Sequence, residues 1–74
     1  MRSDEVYNVF LRRNQPLLRC AVRVDYPIPV FIRAQTWEFA QTVRVDAVPA
    51  DFAPRAARQG SQMLGYYLFH ALQG

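Results

Sequence analysis

Lysine is absent from this sequence, and cysteine, histidine and tryptophan occur once each. A single Cys20 makes no intrachain disulfide. His70, with no second Cys or His nearby, cannot assemble the four nitrogen and sulfur ligands of a structural zinc site. Glycine occupies only three positions, so there is no Gly-rich phosphate loop. The spacing Gly60 to Gly65 lacks the Lys-Ser/Thr that completes a P-loop. The longest uncharged apolar stretch, Met63 to Leu72, falls far short of the ~20 residues of a membrane span. Met1-Arg2-Ser3-Asp4-Glu5 carries acids where a signal peptide would begin its apolar region. These absences predict a reduced, cytoplasmic chain with no membrane segment, no metal and no cofactor.

What is present is a chain of 74 residues, 51% hydrophobic, with no repeat and no Gly/Ser-rich linker, which reads as a single domain over 1–74. A domain of this size buries only about 60% of the surface its unfolded chain exposes. With disulfide and metal excluded, a second subunit is the expected addition to the core. Nine Arg against six Asp/Glu leave a net charge of only +3. The use of Arg alone fits planar contacts to phosphate or carboxylate. It also fits the codon composition of a GC-rich bacterial genome, because Asn and Ile are scarce and Ala is plentiful too.

Apolar alternation predicts a strand over about 5–12 with apolar side chains on both faces, and a half-buried strand over about 17–25. Pro27 and Pro29 lack ladder donors and mark a turn or sheet edge. From Val30 to Val48 no Gly, Pro or Asn appears, yet one strand of that length is implausible. A break between Gln35 and Gln41 divides it into strands over about 30–37 and 39–47. Asp51 reads as an N-cap and Pro54 as a first-turn residue. Met63, Leu64, Tyr67, Leu68, Ala71 and Leu72 follow helical spacing, which predicts an amphipathic helix over about 52–73, the alternative being a break near Gly60 with Ser61 capping the second part. The fold class is α+β: a three- or four-stranded antiparallel meander with a C-terminal helix on one face.

No catalytic constellation emerges. Cys20 sits mid-strand beside Val22 and reads as a small buried hydrophobe. His70 falls in the last helical turn, and no spacing brings Asp25, Glu38 or Asp46 to it. Two surfaces remain. Tyr66 and Phe69 form a second stripe on the predicted helix, which together with Phe31 and Trp37 marks a partner interface, most economically a homodimer. Alternatively Arg19, Arg23 and Arg33, with Trp37 or Phe31 stacking, form a sheet platform for single-stranded nucleic acid. The first reading, a small bacterial protein-interaction module without enzymatic activity, is favoured because the net charge is small and no RRM-type aromatic motif is present.

Overall fold

A computed structural model describes residues 5–45 and 52–71. Four strands and one helix follow in the order β1 (Val6–Arg12), β2 (Gln15–Arg23), β3 (Trp37–Arg44), α1 (Pro54–Leu64) and β4 (Tyr67–His70). All strand pairs are antiparallel, and the strands lie side by side as β3-β1-β2-β4. The α+β class holds, but the sheet is not a meander: β3 pairs with β1 rather than with β2. That order follows from the sequence of β1. Its odd residues Tyr7 and Val9 are fully buried on one face, while Phe10 packs on the other, as suits the central position between two strands.

The helix lies on the odd face. Tyr7, Val9, Ala21 and Val43 pack there against Phe52 and Ala57, with Tyr67 and Phe69 alongside. Pro54 opens α1 within its first turn, as the sequence indicates, while the N-cap is Ala53 with no side-chain bond. Asp51 lies outside the described residues. Gly60 does not break α1. It sits on the inner side with Ala57 and Ser61, where an added Cβ would lie 2.9 Å from the Tyr66 carbonyl oxygen, so the helix approaches β4 as closely as it does only because that atom is missing.

The predicted helix over 52–73 is corrected at its C-terminal end. Gly65 adopts φ 88°, and its N–H donates to the Ser61 carbonyl at 2.9 Å, which closes the helix at Leu64 with a left-handed cap. The residues that follow, Tyr-Leu-Phe-His, are mostly aromatic or apolar and continue as β4 along β2. The predicted strand over 30–37 is also corrected. Residues 24–36 form turns and irregular chain, with Ile32 N–H bonded to Pro29 O and Thr36 N–H to Arg33 O. The break expected between Gln35 and Gln41 is therefore the start of β3 at Trp37, and Ala40 is an unpaired bulge within that strand. The ends expected at 46–47 and 72–73 lie outside the described residues.

Candidate functional site

The sheet face opposite α1 is covered by the segment 24–36, and this loop face holds most of the aromatic residues singled out in the sequence. Pro27 and Pro29 keep the chain out of any ladder and send it across the face as an extended cover. Tyr26 and Ile32 pack down onto Cys20, Val22 and Trp37, with Phe10, Leu18 and Tyr66 around them. The segment is pinned at its far end by Arg13, whose N–H donates to Thr36 O at 2.8 Å and whose Nε donates to Ala34 O at 2.8 Å. Phe31 bridges this cover to the end of α1, with its ring centroid 6.0 Å from Trp37 and 5.0 Å, edge-on, from Tyr66.

Three of the four residues assigned to an interface, Phe31, Trp37 and Tyr66, are thus brought into one cluster. None of them lies in a helix. Phe69 is on the other side of the sheet, stacked on Tyr67 at 5.3 Å and edge-on to Phe52 at 5.5 Å. Trp37 is 4% exposed and lies beneath the cover rather than on it, with the Arg12 guanidinium 5.6 Å from its ring centre.

What the loop face presents to solvent is mostly aliphatic, with Phe39 and part of Phe31 exposed as well. Val30 is 86% exposed, and Ile28 and Leu64 are both more than half exposed. These residues border an open groove of ≈ 330 Å³ lined by Tyr26, Pro27, Ile28, Pro29, Val30, Leu64, Gly65 and Tyr66, none of which is charged. A continuous apolar surface rimmed by polar residues is the usual mark of an interaction site. Sequence reasoning missed Ile28, Val30 and Leu64 because it placed Val30 in a strand and Leu64 on a helix core stripe. The signal that finds them is Pro-Ile-Pro-Val itself, which cannot belong to an inner strand and yet is wholly apolar.

The residues of the nucleic-acid platform are not brought onto one surface. Arg19 and Arg23 pair with Leu11 and Tyr7, so they stand on the helix face, whereas Trp37 is on the loop face and Arg33 is in the covering segment. Each guanidinium is engaged locally. Arg19 Nε donates to Pro16 O at 2.8 Å, and Arg33 Nε to Val30 O at 3.4 Å. Arg23 grips Asp25 through two bonds of 3.0 Å.

The remaining candidate chemistry is a polar cluster under α1 that the sequence did not reveal, because its members are far apart in the chain. Glu5 is 8% exposed. Its Oε2 accepts from Arg58 Nε at 2.8 Å and lies 3.8 Å from Arg23, so the carboxylate is held as an ion-pair partner. Tyr7 Oη, Ser61 Oγ and Glu5 Oε1 are buried without a hydrogen-bond partner among the described residues. Burial pushes the Tyr7 phenol above its ordinary pKa, opposed by the neighbouring Ser61 hydroxyl. Among the described residues no base is hydrogen-bonded to Ser61 Oγ. Cys20 is fully buried, which pushes its thiol up to about 12. His70 stands on β4 opposite Leu18 of β2, and Asp46 lies outside the described residues. Among the described residues no group of three His, Cys, Asp or Glu side chains could hold a metal ion, and no helix is long and apolar enough to cross a membrane. Among protein-family models, curated proteins and solved structures, none matches this chain.

Proposed function

We propose that this chain is a bacterial cytoplasmic protein-interaction module without enzymatic activity, homodimeric, which offers the apolar loop face to another protein. The observation that carries the reading is the uncharged groove between Pro27–Val30 and Leu64–Tyr66, with Val30 86% exposed at its rim. An aliphatic side chain so fully solvated contributes nothing to its own fold, and Phe31, Trp37 and Tyr66 behind it hold the groove's wall in place. Anchors of this type, a rigid aromatic wall with exposed aliphatics in front, resemble the centres of protein interfaces rather than of phosphate-binding surfaces.

Sedimentation of the full chain at low and high salt, with and without a mixed-sequence oligonucleotide, tests this. The expected result is a dimer that is indifferent to salt and blind to the oligonucleotide, together with enhanced fluorescence of an apolar dye that Val30→Glu abolishes. A monomer that gains mass with the oligonucleotide only at low salt would overturn the reading in favour of nucleic acid.

A further inference from the structure

The two edges of the sheet are built differently. β3 is interrupted by the Ala40 bulge and carries Glu38, ion-paired to Arg13 at 2.7 Å, and Arg44, both features that discourage pairing with another strand. β4, at the opposite edge, has no bulge against β2, no proline and no acidic or basic residue other than His70. The direction of its backbone groups follows from the ladder. Ala71 N–H donates to Leu17 O at 2.7 Å, so residues 71, 69 and 67 turn their backbone groups toward β2. Leu68 and His70 therefore turn N–H and C=O outward, away from the sheet.

We propose that the homodimer forms by antiparallel pairing of β4 with β4 of a second copy, about a two-fold axis at Phe69, which joins the two sheets into one of eight strands. In that register Leu68 of each copy faces His70 of the other, and all four outward donors and acceptors on these residues are satisfied. Shifting the axis to Leu68 would bring His70 opposite Tyr66, outside the strand. The side chains agree with the backbone. Phe69 on the axis meets its own counterpart in the closely spaced type of antiparallel pair, and each stacks on its own Tyr67, so four aromatic rings line the seam on the helix face. On the loop face Leu68, 47% exposed, gains the neighbouring imidazole as cover. A second copy fits this edge because the pattern is self-complementary and because two chains of net charge +3 approach through a stretch with no fixed charge. The inference rests on the homodimer reading and names its contact.

His70→Pro tests it. The His70 N–H makes no bond among the described residues, the residue before it is extended as proline requires, and β4 keeps its bonds to β2 through Phe69 and Ala71. Sedimentation of the full chain is expected to fall from a dimer to the single-chain mass of 8.6 kDa while the circular dichroism spectrum is retained. A folded His70→Pro dimer would overturn the inference. Should that variant fail to fold, Phe69→Cys in a Cys20→Ser background decides: oxidation is expected to yield a covalent dimer, because the two axial residues approach within disulfide range, and its absence would overturn the inference. Val30→Glu separates this from the wider reading. If Val30→Glu gives monomer and His70→Pro gives dimer, the copies meet through the loop face and the edge is wrong. If the unmodified chain sediments as a monomer, homodimerisation itself falls.

Discussion

The two faces of this sheet are both apolar but are closed in different ways. On the helix face, α1 presents Ala57, Gly60 and Ser61 at close range, and Tyr7, Phe52, Tyr67 and Phe69 form a chain of ring contacts 5.3–5.8 Å apart. On the loop face, the cover is a proline-containing segment with few backbone bonds, which buries Cys20, Val22 and Trp37 but leaves Ile28, Val30 and Phe39 in solvent. A helix satisfies its own backbone and can devote one side entirely to the core. A loop must keep its polar backbone wet, so it buries alternate side chains and exposes the others. Stability is therefore concentrated on the helix face, and exposed apolar surface on the loop face.

The largest effect that would test this contrast is a pair of truncations. Phe52, 3% exposed and touching three rings, should cost about 3–5 kcal/mol when changed to Ala. Phe31, 37% exposed, should cost less than about half of that, since much of its surface is already solvated. Urea titration of both variants gives the comparison directly. Equal losses would mean that the loop is as integral to the core as the helix.

Gly60→Ala should come next. Helix propensity alone favours Ala by about 1 kcal/mol. The new Cβ, however, would meet the backbone oxygen of Tyr66 at 2.9 Å, and backbone moves less readily than a side chain. A net loss of about 1–3 kcal/mol in thermal or chemical unfolding is expected. A gain would show that α1 and β4 are more loosely apposed than the structure has them.

How much of this was legible in the sequence divides along the same line. β1 and β2 are readable from alternation and from the short turn that joins them, whereas their other partners, β3 and β4, lie far along the chain. The helix start was readable from Pro54. Its end was not, because Met63, Leu64, Tyr67 and Leu68 satisfy a helical period while Tyr67-Leu68-Phe69-His70 serve equally as a strand. Only the conformation of Gly65, φ 88°, decides between them, and glycine at that position signals a cap as readily as a weak helix interior. On the loop face, the meeting of Phe31 with Tyr66 and the pinning by Arg13 join residues distant in the chain, which no local pattern encodes. Phe31, Trp37 and Tyr66 were chosen for their aromatic character, and the fold then gathered them. Alternation groups Arg19 with Arg23 correctly, but the platform expects them on the face opposite the helix, and their pairing with Leu11 and Tyr7 puts them on the helix face instead.

Cys20 shows how dry the loop face is beneath its cover. With burial pushing the thiol up to about 12, alkylation of the native protein at pH 8 should be negligible and should become complete on unfolding in denaturant. The linkage has a definite sign. The folded state holds the proton more tightly than the unfolded one, whose thiol has its ordinary pKa of 9.0, so this contribution to stability is intact below pH 9 and is lost between pH 9 and about 12. Cys20→Ala should remove that part of the alkaline decline. Rapid native alkylation would mean that the 24–36 segment opens readily.

The smallest effect on stability is the most informative about function. Val30 is 86% exposed and lies at the rim of the uncharged groove, so Val30→Glu removes almost no buried surface and should leave the unfolding free energy within about 0.5 kcal/mol of the unmodified chain. The same substitution places a carboxylate where a partner's apolar surface would have to desolvate it, a cost with no compensating cation among the residues lining the groove. Stability and dye binding should therefore separate: melting unchanged, apolar dye fluorescence lost. If Val30→Glu also destabilised the fold by several kcal/mol, Val30 would be part of the core closure and the loop face would have no surplus to offer. If both properties were unchanged, the exposed aliphatics would be incidental and recognition would have to be sought at the β4 edge alone.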